Sequence, residues 1–211
     1  MVWAVICGLA LSPVAAQGVQ VRPVFDMTLT TGWTGGAAVP YDLEQRAAAG
    51  KASTPITLVY TPTPALKKAT VEGYVNRLKG QNPAASRAVA ANFGPGKYDY
   101  SAVYSGLVKG NGLNDNDAAG IMTALLVLGY MIVNDVQDGN RVTPAMMQGV
   151  RAQFRPQLSR NFKLTAPGVA GRLGQEMKLQ TVIVQGGWQS AIKAKTLPAY
   201  QRGIAEMFKT Q

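Results

Sequence analysis

Histidine is absent from all 211 residues, and the only cysteine, Cys7, lies close to the N-terminus. The first absence removes the commonest general base and the commonest metal ligand. The second leaves residues 17–211 without a disulfide, a thiolate-held metal or a cysteine nucleophile. Acidic residues are scarce toward the C-terminus. Residues 141–211 hold 11 Lys and Arg against only Glu176 and Glu206, a net charge of +9, while residues 1–140 are nearly balanced at +1. Neither a Gly-x-Ser-x-Gly elbow nor a Gly-x-x-x-x-Gly-Lys-Ser/Thr phosphate loop occurs, so the usual serine hydrolases and nucleotide phosphate cradles have no signature here.

What is present begins with an apolar run over residues 2–11, then Ser12-Pro13 and the small residues Val14-Ala15-Ala16 before Gln17. This is the pattern of a secretory signal peptide over residues 1–16, cut after Ala16. The run is too short to span a bilayer, so no stable membrane span is expected after cleavage, and the chain reads as exported, periplasmic or secreted. Residues 17–55 are rich in Gly, Thr, Ala and Pro around Thr30-Thr31-Gly32-Trp33-Thr34-Gly35-Gly36. No helical period survives there, which predicts a flexible leader. The folded domain is expected over residues 56–211.

Within that domain the most conspicuous stretch is Ala118-Ala119-Gly120-Ile121-Met122-Thr123-Ala124-Leu125-Leu126-Val127-Leu128-Gly129-Tyr130-Met131-Ile132-Val133, which carries no charge. A helix apolar on every side must be enclosed, so the other helices are expected to surround it. Asn114 fits as its N-cap, and Asp115 and Asp117 fall in the first turn, where the helix dipole favours negative charge. Gly120 and Ala124, four apart, predict a flat strip for a neighbouring helix.

Around this element, Thr63-Pro64, Asn82-Pro83 and Thr143-Pro144 each set a capping residue before proline at the first helical position. Tyr98-Asp99-Tyr100 leads into a further helix ending near Lys109. Apolar stripes at helical spacing follow: Val71, Tyr74, Val75 and Leu78; Met147, Val150, Phe154 and Leu158; and Val169, Leu173, Met177, Val184, Trp188 and Ile192 on a helix starting at Thr165 and interrupted at Gly186-Gly187. Pro156 is expected to kink or end its helix. A last helix opens at Pro198. The fold class is all-α: a single bundle of about six helices around the central apolar one, behind an extended N-terminal leader.

Leu58-Val59-Tyr60-Thr61-Pro62-Thr63-Pro64, the block Gly112-Leu113-Asn114-Asp115-Asn116-Asp117-Ala118-Ala119, Val133-Asn134 and the basic helical C-terminal part together resemble an uncharacterised family of exported bacterial proteins, known only as a domain of unknown function. The resemblance covers residues 58–211. It implies an all-helical envelope protein and no activity. Two departures stand out: Leu, Val and Met replace aromatics in the central helix, and the chain stops at Gln211 without the short tail of such proteins, which implies C-terminal truncation.

The polar residues bear on three chemistries. Calcium binding at residues 114–117 fails as an EF-hand, because the third ligand position is Ala119 and the bidentate Glu position is Leu126. A carboxylate pair acting on cell-wall glycan would have to use Glu72, Glu176 or Glu206, each read as a solvated helix charge, whereas a catalytic acid needs apolar surroundings. Arg151, Arg155, Arg160, Lys163, Arg172, Lys178, Lys193 and Lys195 are the candidate anion-binding or partner-binding residues. The leading reading is a non-catalytic binding protein with no metal and no cofactor, whose partner is an anionic envelope component or an acidic protein. The alternatives are a carboxylate-dependent cell-wall glycan hydrolase and, third, nucleic-acid binding.

Overall fold

The computed structural model describes residues 58–160 and 168–209. Seven α-helices follow one another: α1 (Pro64–Gln81), α2 (Pro83–Phe93), α3 (Tyr100–Val108), α4 (Ala118–Val133), α5 (Pro144–Arg160), α6 (Val169–Lys193) and α7 (Leu197–Lys209). No strand occurs among the described residues, so the class is all-α, as the pattern predicted. The expected signal peptide, the leader and the first two residues of the expected domain lie outside the described residues.

The helix starts follow the capping chemistry. Thr63 Oγ1 accepts from the Leu66 N–H at 3.1 Å, Asn82 Oδ1 from Ala85 at 3.0 Å, Asp99 Oδ1 from Ser101 at 2.9 Å and Thr143 Oγ1 from Met146 at 3.2 Å. Each bond satisfies an N–H that the first helical turn leaves without a partner. Before α1, Leu58, Val59 and Tyr60 run extended, and Val59 forms an antiparallel bridge with Asp117. The Tyr60 N–H donates to the Asn116 carbonyl and the Ala118 N–H to the Leu58 carbonyl, both at 2.9 Å.

That bridge moves the predicted cap of α4. Asp117, not Asn114, is the N-cap: its backbone is extended at φ −109°, and its Oδ1 accepts from the Ala119 N–H at 3.3 Å. Asn114 instead accepts from the Asn116 N–H at 2.9 Å, shaping the loop one step earlier, so Asp115 lies in that loop rather than in the first helical turn. An extended residue paired across a bridge cannot also be helical, which fixes where α4 begins.

The enclosure expected of α4 holds for most of its length. Ile121, Leu125, Leu128, Met131 and Ile132 are all but inaccessible, each worth about 1.5–3 kcal/mol of burial. Its C-terminal end differs from expectation, with Tyr130 60% exposed and Val133 39%. At Gly120 the nearest neighbour is the preceding loop rather than another helix. A Cβ on Gly120 would meet the Asn114 carbonyl of the preceding loop, whereas Gly129 is where the Phe208 ring of α7 lies directly on the α4 backbone.

α4 shares the centre with α6, which packs against α1, α3, α4 and α7. α6 is unbroken across Gly186-Gly187, because the Tyr200 ring lies over Gly187 and its hydroxyl donates to the Val184 carbonyl at 2.8 Å. α5 likewise continues through position 156 to Arg160, so Pro156 does not end it.

Candidate functional site

The two sequence blocks singled out above, residues 58–64 and 112–119, meet in space through the Val59–Asp117 bridge. Beneath that junction runs the face of α6 carrying Gly171, Gly174, Gln175 and Lys178, spaced three, four and seven apart and hence stacked on one side of the helix. The glycines make room for Tyr60. A Cβ at Gly174 would fall 2.4 Å from Tyr60 Cε1, and one at Gly171 would lie 3.4 Å from Tyr60 Cδ2. With its ring on the helix backbone, Tyr60 accepts through its hydroxyl from Gln175 Nε2 at 2.9 Å, and the Tyr100 hydroxyl donates to Gln175 Oε1 at 2.7 Å. One glutamine amide thus joins the extended segment to the start of α3.

One turn further on, Lys178 is 1% exposed. Its ammonium donates to Asn116 Oδ1 at 2.9 Å and to Ser101 Oγ at 3.2 Å. The ring centroids of Tyr104 and Tyr60 lie 5.4 Å and 5.9 Å from Nζ, within cation–π range. Among the described residues Lys178 has no carboxylate within ion-pair distance. Burial therefore pushes its pKa down to about 8, and the field of Asp115 only partly restores it. Burial also raises the phenols of Tyr60, Tyr100 and Tyr104, which stay protonated. The Tyr104 hydroxyl is enclosed without a hydrogen-bond partner among the described residues.

Two ion pairs flank this cluster. Asp117, 1% exposed at its side chain, accepts from Arg151 Nε at 2.8 Å and also from Nη2, tying α5 to the start of α4. Glu176 of α6 is paired with Arg77 of α1. On the surface, Asp99 pairs with Lys67 at 2.6 Å and Glu72 with Lys68 at 3.8 Å.

The predicted basic face is therefore divided. Lys178 lies in the core, and Arg151 is bound to Asp117. Lys163 lies outside the described residues, and Arg160 is placed only as part of α5. Arg155, Arg172, Lys193 and Lys195 are exposed. Arg172 and Lys193 stand at opposite ends of α6, about 30 Å apart at 1.5 Å per residue, so these residues form no single face. What the fold does bring together is the corner between α6 and α7, with Lys193 in the last turn of α6, Lys195 in the connection at φ 57° and Arg202 on α7. None of the three has a carboxylate within ion-pair distance among the described residues.

Glu176 is not the solvated charge the sequence implied but is buried against Arg77. The four carboxylates Glu72, Asp99, Asp117 and Glu176 each have their own cation, whereas a carboxylic acid that delivers a proton needs apolar surroundings. No group of three or more Asp, Glu, His or Cys among the described residues is arranged to hold a metal ion. One Ser-x-x-Lys spacing does occur, at Ser190 and Lys193, but no hydrogen bond joins the two among the described residues.

The parts that sequence reasoning missed are Tyr60, Ser101, Tyr104, Asn116 and Gln175. The signal that could have found them is the stacking of Gly171, Gly174, Gln175 and Lys178 on one face of α6. Comparison with protein-family models, with characterised proteins and with solved structures returns no match to this chain.

Proposed function

We propose that the protein is a non-catalytic, exported binding protein of the bacterial envelope and that it holds an anionic polymer at the corner between α6 and α7. The observation that carries this reading is the set of exposed cations Lys193, Lys195 and Arg202, none within ion-pair distance of a carboxylate among the described residues. Four of the domain's carboxylates are taken up in internal or local ion pairs, so the surplus positive charge faces solvent, where it attracts polyanions. Export is supported by the apolar run and small-residue site at residues 2–16, and no described helix is long and apolar enough to cross a membrane.

The test is binding to a poly(glycerol phosphate) or acidic-glycan polymer over a salt series. The wild type should bind with affinity falling as salt rises. The triple variant Lys193→Gln, Lys195→Gln, Arg202→Gln should lose at least tenfold, while Arg172→Gln at the far end of α6 changes little. Salt-independent binding, or equal losses from the two variants, would remove the corner as the site.

A further inference from the structure

We propose that Lys178 and Asn116 become joined by an intramolecular amide bond between Nζ and Cγ, with release of one ammonia. The proposal rests on how the two groups are held. Asn116 is fixed on both sides, its carbonyl accepting from the Tyr60 N–H and its own N–H donating to Asn114 Oδ1, both at 2.9 Å. Lys178 is carried by the middle of a 25-residue helix. Its amine rests 2.9 Å from Asn116 Oδ1, in contact with the side-chain amide whose Cγ it would attack. Holding nucleophile and electrophile together in this way is what makes an otherwise slow intramolecular step feasible.

The surroundings favour the step. An ammonium is almost never fully buried unless paired with an acid, yet among the described residues Lys178 meets a hydroxyl, an amide oxygen and two aromatic rings and no carboxylate within ion-pair distance. Burial lowers its pKa to about 8, so a neutral fraction is available near neutral pH. Exclusion of water by the Tyr60 and Tyr104 rings protects the amide once it has formed.

The step balances within the two side chains. The lone pair of the neutral amine attacks Cγ of Asn116, and negative charge gathers on Oδ1. Nζ gives up a proton and Nδ2 takes one, and the Cγ–Nδ2 bond breaks as ammonia leaves. Nothing is oxidised or reduced. The product has no buried charge, which removes the instability of the unreacted site.

The test is mass spectrometry of the full chain, unfolded and cut with trypsin. In the joined protein trypsin cannot cut after residue 178. Residues 110–141 and 173–193 then appear as one branched peptide lighter than their sum by one ammonia. Lys178→Arg and Asn116→Ala should each yield the peptides separately, with cleavage after residue 178. Because the wild-type digest is decisive alone, misfolding of a variant does not obscure the result. Quantitative recovery from folded wild-type protein of free residues 110–141 and of residues 179–193 would overturn the proposal.

Discussion

Replacing Gly174 by alanine would ordinarily stabilise a helix interior by about 1 kcal/mol, because alanine restricts the unfolded chain and favours helical backbone. Here the new methyl would stand 2.4 Å from Tyr60 Cε1 and 2.8 Å from the hydroxyl oxygen, closer than real side-chain carbons approach. Tyr60 cannot slide along the helix to relieve this, because its N–H is bonded to Asn116 and its hydroxyl to Gln175. The ring must leave. Its departure forfeits about 1.5–3 kcal/mol of burial and about 1 kcal/mol for the hydrogen bond. Set against the helical gain, the net loss is about 1.5–3 kcal/mol. Gly149, on an exposed part of α5 with nothing within 4 Å of its missing Cβ, provides the control. There the same substitution should stabilise by about 0.5–1 kcal/mol.

Urea unfolding followed by circular dichroism measures both variants, and a double-mutant cycle with Tyr60→Ala separates the cause. Tyr60→Ala alone should cost about 3 kcal/mol. In the Gly174→Ala background, where the ring has already been expelled, it should cost about 1 kcal/mol or less, a coupling of about 2 kcal/mol. Additive effects, or a Gly174→Ala protein as stable as the wild type, would mean that Tyr60 does not lie against α6.

Other perturbations probe other parts of the fold. Leu125→Asp places a carboxylate at a position 2% exposed in the middle of α4 and should abolish folding, read as loss of the cooperative transition, whereas Leu125→Ala should cost about 2–5 kcal/mol and remain folded. Asp117→Ala removes both the α4 cap and the partner of Arg151, for an expected loss of about 2–4 kcal/mol, and Asp117→Asn, which keeps an acceptor for the Ala119 N–H, should lose less. Burial raises the phenol pKa of Tyr60, Tyr74, Tyr100, Tyr104 and Tyr200 above that of the unfolded chain. Their contribution to stability is therefore complete below about pH 10 and is lost as the pH rises beyond it. Unfolding in alkali should coincide with the appearance of tyrosinate absorbance. Phenols that ionise near pH 10 in the folded protein would show them to be solvated.

The contrast between α4 and α6 shows where local pattern stops being informative. α4 was legible because sixteen residues without a charge leave burial as the only option, and α1, α2 and α5 because a capping side chain before proline satisfies a rule that operates within one turn. The first turn of α4 was misplaced by three residues because Asn114 and Asp117 can both cap. What separates them is the bridge to Val59, and nothing near residue 117 in sequence announces it. α6 defeats the same logic more thoroughly. Gln175, Glu176, Lys178, Gln180 and Thr181 look like the outer face of an amphipathic helix, yet all are buried, because α6 is covered on several sides. Inward-facing polar groups are stable only with partners, and here several come from far along the chain: Tyr60 for Gln175 and Arg77 for Glu176, 115 and 99 residues away. A lysine in such a helix carries the same letter whether it faces water or the core. The only local trace of the difference is the small residues one and two turns before it, since Gly171 and Gly174 leave the space that a tyrosine from the other end of the domain fills. The candidate site and the least legible part of the fold are therefore the same place, and for one reason: both depend on contacts between α6 and the segment that precedes α1.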